Sequence, residues 1–168
     1  LKGYFKQLYA DSRMVNNVLP LNTYIKDNPA VYGLLLSKIS YSEIKNIIFN
    51  INILTQINTG SMKICDFCKV LGILLDNALE AASESEKKFA ELIITKNPDK
   101  SGIVIEIINS YKDSVDVEKI YENGYTTKEN HSGFGLWEVK KIISKYKNSS
   151  INTSACEGIF TQHIEILY

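Results

Sequence analysis

Residues 67–82 constrain the fold of this chain more than any other stretch. Phe67, Val70, Leu71, Leu74, Ala78 and either Ala81 or Ala82 recur at the spacing of one helical face. An apolar face that wide needs a broad apolar surface to lie on. The chain supplies that surface on both sides of the helix. Residues 47–53, rich in isoleucine, read as a strand, and residues 89–95 and 102–108 read as two more. Asn97, Pro98, Asp99 and Lys100 join the last two, a strong hairpin signal. A final pair of strands, 151–155 and 159–167, is joined by Glu157 and Gly158.

Further helices complete the pattern. Tyr4, Phe5, Leu8 and Tyr9 predict a helix over residues 1–19, stopped by Pro20. Pro29 in a first turn opens another, with Val31, Leu34, Leu35 and Ile39 on one stripe. Asp66 reads as the N-cap of the wide helix, with Cys65 and Cys68 as small buried hydrophobes beside it. A short helix is expected over 115–121, then a glycine-containing loop, then a helix over 136–146. Hairpin strands alternating with helices predict an α+β fold, a two-layer α/β sandwich whose mixed sheet is covered on one face by helices. The 168 residues suffice for one cored domain, read as 28–168, preceded by a helical segment, 1–27.

Nineteen basic residues balance nineteen acidic ones. No global field then points to nucleic acid or an anionic membrane, and phosphate binding has to be local. The Cys65–Cys68 spacing has no second cysteine pair or His-rich segment to complete a zinc site, and three reduced thiols suit a cytosolic setting. No apolar run approaches the roughly 20 residues that span a bilayer.

Three segments carry chemistry together: LGILLDNALEAA at 71–82, GYTTK at 124–128 and HSGFGLWEV at 131–139. Gly133 and Gly135 precede a helix, where free backbone N–H groups and the positive end of the helix dipole can hold phosphate oxygens. Lys128, five residues earlier, adds a cation. Asn77 and Glu80, one turn apart on one helix, are oxygen donors suited to a Mg2+ ion that bridges phosphates. The Lys140, Lys141, Lys145 and Lys147 cluster reads as a solvated helix flank.

As a set, these segments resemble the N box, the phosphate-loop Ser/Thr-Lys element and the second glycine box of the histidine-kinase ATPase superfamily, which also holds gyrase, Hsp90 and MutL. Peptide quorum-sensing and citrate-sensor kinases are the most similar in character. The resemblance spans about residues 29–168 and implies the Bergerat ATP-binding fold, with ATP and Mg2+ as ligands. It assigns Asn77 to Mg2+, Glu80 less firmly, and Thr127, Lys128 and the backbone of Gly133, Phe134, Gly135 and Leu136 to the phosphates.

Two departures refine what the resemblance implies. Most relatives carry an Asp-x-Gly-x-Gly after the strand, its Asp reading the adenine amino group; here the strand runs into Asn109, Ser110, Tyr111, Lys112 and Asp113. Asn109 continues the row Ile103, Ile105, Ile107 by the period of two and is expected to face the pocket. Ile73 stands four residues before Asn77, where hydrolysing relatives carry a Glu that activates water. Transfer to a protein nucleophile is thus favoured over hydrolysis.

In the family that nucleophile is a His on an upstream dimerisation helix. Neither His131, in the nucleotide loop, nor His163, on the solvent-facing row of the last strand, resembles it. The reading is the catalytic domain of a two-component kinase, with residues 1–27 a remnant of the dimerisation region. Expected partners are the phosphoacceptor helix of the same protein and a response regulator, with no nucleic acid. The full protein is expected to be a homodimer, this part lying in the cytoplasm below a membrane anchor. A non-catalytic nucleotide-binding or dimerisation module and a water-using ATPase remain the alternatives.

Overall fold

The computed structural model describes residues 24–25, 27–112, 115–124 and 133–168. The helix expected over 1–19, and with it most of the segment 1–27, lies outside them. The elements are α1 (Pro29–Ile44), β1 (Ile48–Ile53), α2 (Ile64–Glu84), β2 (Phe89–Lys96), β3 (Gly102–Ser110), α3 (Gly135–Ile143), β4 (Ser149–Cys156) and β5 (Ile159–Leu167).

The strands form one five-stranded sheet in the order β1-β2-β3-β5-β4. β1 runs parallel to β2, and every other neighbour is antiparallel. The sheet is therefore mixed, as expected. α2 packs on β2 and β3, α3 packs on β4 and α2, and α1 packs on α2 and β1.

Strand alternation sorts the two faces. Phe49, Ile51, Ile53, Ala90, Leu92, Ile94, Ile103, Ile105, Ile107, Ile164 and Ile166 are buried beneath the helices. The other face carries Asn50, Asn52, Glu91, Glu106, Ser150, Asn152, His163 and Glu165, all exposed or half-buried. There Asn52 donates to Glu91, and His163 sits 3.3 Å from Glu106 and 3.6 Å from Glu165. His163 is thus on the solvent row, as the alternation predicts.

α2 supplies the other half of the core. Phe67, Leu71, Leu74, Leu75, Leu79 and Ala82 are almost fully buried, and losing one such leucine to alanine costs about 2–5 kcal/mol. The α1 stripe holds in part, with Val31 and Leu35 buried and Leu34 and Ile39 packed at its margin. Both hairpins form as read. Asn97 Oδ1 accepts from the Asp99 and Lys100 N–H groups. Glu157 and Gly158 both take positive φ, at 50° and 77°, the conformation of a two-residue turn whose twist matches its strands.

Three local readings are corrected. The N-cap of α2 is Lys63, so Asp66 lies inside the first turn; its carboxylate is taken up by Tyr146 and Lys145 instead. Cys65 is exposed and Cys68 only half-buried; Phe67, between them, takes the buried position. Residues 115–121 form turns rather than a helix: Lys119 and Ile120 donate to the Asp116 carbonyl, and Tyr121 is drawn away to Thr153 on β4.

Gly102 begins β3 against β5 with no room for a side chain, since a Cβ there would stand 2.4 Å from the Ile166 carbonyl oxygen. Gly102→Ala is expected to lower stability by about 1–3 kcal/mol through forced separation of the two strands, read as an earlier urea midpoint with unchanged slope.

Candidate functional site

The site forms where α2 and α3 part company above the sheet. The two helices run antiparallel, and the end of the seam near the start of α2 is closed. Met62, Phe67, Val70, Leu71, Ile105, Ile143, Ile164 and Ile166 surround a small apolar void there. Tyr146 locks that end: its hydroxyl donates to Asp66 Oδ2 at 2.6 Å and accepts from the Lys63 N–H at 3.3 Å. Lys69 and Glu138 add an ion pair at 2.6 Å midway along.

At the other end the start of α3 meets the middle of α2. A Cβ on Gly135 would lie 3.2 Å from Ile73 Cγ2 and 3.9 Å from Asn77 Nδ2. Glycine here lets the first turn of α3 rest directly on the α2 face that carries Asn77. Among the described residues no side chain caps that turn. The helical ladder begins at Glu138 N–H to the Phe134 carbonyl, which leaves the N–H groups of Gly135, Leu136 and Trp137 outside it. Amides outside the ladder and the helix dipole make this corner attractive to an anion.

The floor comes from the inward rows of β3, β5 and β4. Asn109 pairs with Phe160 and Phe160 with Ala155; one row along, Ile107 pairs with Gln162 and Gln162 with Thr153. Asn109 is only 2% exposed, and its Nδ2 donates to the Ser110 carbonyl at 3.0 Å. That bond orients the amide. The glycine-poor continuation Ser110–Tyr111 stays paired with β5 instead of turning away: the Tyr111 N–H donates to the Gly158 carbonyl, and the Tyr111 ring meets Phe160 edge-on. Ser110 is held by Ser85 and Phe89.

Of the residues read from the sequence, Asn77, Asn109, Gly133, Phe134, Gly135 and Leu136 fall within the described chain. Asn77 and Gly135 are brought together, with Asn109 on the sheet that α2 covers. Thr127, Lys128 and His131 lie outside the described residues. Glu80, one turn beyond Asn77, is within electrostatic reach of Tyr41 on α1, whose pKa is pushed up by burial and then by Glu80, Asp76 and Glu84. Asp76 is bound to Lys38 at 2.6 Å. Ile73 packs against the core. The lysine flank is less idle than expected. Lys140 lies over the Tyr121 ring, Lys141 over Trp137, and Lys145 reaches Asp66.

Among the described residues no group of three His, Cys, Asp or Glu side chains could hold a metal. A divalent ion at Asn77 would therefore take most of its oxygens from phosphates and water, as Mg2+ commonly does. Also among them, no helix is long and apolar enough to cross a membrane.

A family model described as a GHKL domain matches residues 62–167. A nucleotide-free catalytic domain of the histidine kinase ThkA is similar in structure at a TM-score of 0.66 and 23% identity, over 83% of this chain and 91% of that one. The mycobacterial sensor histidine kinase MprB follows at 0.63 and 13%, over 81% and 94%. The Acinetobacter baumannii histidine kinase AdeS matches at 0.63 and 14%, over 99% of this chain and 82% of its own. These likenesses establish a common fold. A sequence search of curated proteins returns no significant match.

The bond to Asp66 holds the Tyr146 hydroxyl above the usual tyrosine pKa. The folded state binds that proton more tightly than the unfolded one. The resulting stabilisation is whole below the ordinary tyrosine value of about 10 and is lost as pH rises through the folded value. Melting temperature is expected to fall more steeply in wild type than in Tyr146→Phe across that alkaline window, followed by circular dichroism.

Proposed function

The chain belongs to the GHKL family, and we propose from that premise that it is the ATP-binding catalytic domain of a sensor histidine kinase. The observation that carries this reading is the meeting of Asn77 with the uncapped, glycine-led start of α3. An amide oxygen beside a cluster of free backbone N–H groups suits a metal-bound polyphosphate: the N–H groups take phosphate oxygens and the amide takes the cation. A Mg2+ ion there would offset phosphate charge. The contact of Gly135 with Ile73 and Asn77 leaves the corner shaped by backbone, which fits this assignment. Asn77 is the residue we assign to the metal, with Glu80 second; Thr127, Lys128 and the backbone from Gly133 to Leu136 are assigned to the phosphates. Asn109 offers its amide oxygen to the amino group of the base.

Transfer is favoured over hydrolysis by Ile73. An aliphatic side chain cannot take a proton from water, so the chain has no general base at that place on α2. A histidine nitrogen from the upstream dimerisation segment instead attacks the γ-phosphorus, the bond to the β-phosphate oxygen breaks, and ADP leaves. Catalysis by the domain is then positioning and charge stabilisation. The phosphoryl group passes on to an aspartate of a response regulator, and the full protein is a homodimer anchored at the membrane, with this domain in the cytoplasm.

Binding of ATP is expected to require a divalent ion. At Mg-ATP about tenfold above its dissociation constant, linkage stabilises the fold by roughly 1.4 kcal/mol, on the order of 2–5 °C in melting temperature. Asn77→Ala should abolish most of that shift; a variant shifted as far as wild type would remove Asn77 from the metal site. The chain alone is expected not to label itself from γ-labelled ATP, since neither the sequence around His131 nor that around His163 resembles a phosphoacceptor segment. Acid-labile phosphate on either one would overturn the assignment of the acceptor to an upstream segment.

A further inference from the structure

α1 is apolar on more than one side. Val31 and Leu35 are buried in the core. Leu34, Lys38 and Tyr41 face α2: Leu34 lies beside Gly72, Lys38 is bound to Asp76, and Tyr41 is near Glu80. At about 100° per residue the opposite flank carries Tyr32, Leu36, Ile39 and Glu43. A helix with apolar residues all round is ordinarily buried all round, yet Leu36 is 37% exposed. α1 packs on β1 and α2, so the flank turned away from α2 overhangs the outer edge of β1.

β1 is an edge strand without the usual protection. Its sequence, IFNINI, has no charge and no proline, and its register with β2 runs unbroken from Ile48 to Ile53; sheet edges are normally blunted by lysine, proline or a bulge. The Ile48 and Leu54 N–H groups donate to the Lys88 and Ile94 carbonyls, on the β2 side. Backbone alternation therefore turns the N–H and C=O of Ile51 away from β2, toward an edge where no strand pairs among the described residues. On the outer sheet face the strand shows Ile48, Asn50 and Asn52, followed by Leu54. Ile48 and Leu54 are 38% and 64% exposed.

Self-pairing in one register satisfies these groups together. A twofold axis at Ile51 sets Ile51 of one copy against Ile51 of the other as a hydrogen-bonded antiparallel pair. The outer-face pairs are then Asn50 with Asn52 and Ile48 with Leu54, amide against amide and aliphatic against aliphatic. Moving the axis by one residue either way pairs Ile48 with Asn52 or Asn50 with Leu54 and loses the match. A helical partner could cover the α1 flank, but it would leave the Ile51 backbone unpaired.

We propose that the β1 edge and the α1 flank of Tyr32, Leu36 and Ile39 form an interface with a second copy of this chain, joining two sheets through β1 into one. The contact lies on the far side of α2 from α3, so it leaves the corner of Asn77 and Gly135 open. It is separate from the upstream dimerisation segment and independent of nucleotide.

Sedimentation velocity of the 168-residue chain over a range of concentrations should show a reversible dimer. Ile48→Lys and Leu54→Lys each place a charge opposite an aliphatic side chain twice per dimer, and each should raise the dimer dissociation constant about tenfold. Ile48→Lys combined with Leu54→Glu sets opposite charges across the axis and should restore affinity to within about threefold of wild type. In hydrogen exchange the Ile51 amide should gain protection with concentration, while the Asn52 amide, held by β2, should not change. The melting temperature of dilute protein should be alike in all variants, because both substituted side chains are exposed. A chain that is monomeric at every concentration overturns the proposal. So does a dimer indifferent to both lysine variants, the outcome if residues 1–27 alone hold two copies together, or a charge pair that fails to restore what either lysine removes.

Discussion

The candidate site takes its geometry from the burial of α2 against β2 and β3. Phe67, Leu71, Leu74, Leu75 and Leu79 fix the rotation of that helix about its axis, because turning it would lift several leucines out of the core at once. With the rotation set, Ile73 and Asn77 are directed at α3, while Asp76 is directed at Lys38 on α1. A single packed face thereby decides which polar residue reaches the cleft and which is spent on a salt bridge.

α3 is held to α2 by contacts of different character along its length. At the closed end the bonds are polar and local to the surface, from Tyr146 to Asp66 and Lys63. At the open end Gly135 rests on Ile73, and the ion pair of Glu138 with Lys69 holds the first turn of α3 to α2.

Much of this was legible in the sequence. The wide apolar helix, the two hairpins and the alternation that turns His163 outward and Asn109 inward are local patterns, and each is realised. What escaped were effects of residues distant in sequence. Asp66 has the side chain of an N-cap, yet Tyr146, 80 residues on, claims it. Residues 115–121 have helical spacing, yet the Tyr121 contact with Thr153 holds them as turns. Cys65 and Cys68 look like core by composition, but Phe67 takes the buried position between them. With His163 on the outer row, the same alternation puts Phe160, Gln162, Ile164 and Ile166 on the inner one.

The strand order has a consequence for biosynthesis. β5 follows every other element in the sequence and yet sits between β3 and β4. While residues 159–167 are still inside the ribosome, β3 has an unpaired inner edge, β4 has nothing to pair with, and the cleft has no floor. Emerging helices and the first hairpin can form early from near neighbours, but the half-sheet must wait with an isoleucine-rich edge exposed. Insertion of one late strand then joins two separate pieces into a single sheet. Closure of the sheet should arrive in one step once residues 159–167 have emerged, and the nascent chain is most vulnerable to aggregation just before it.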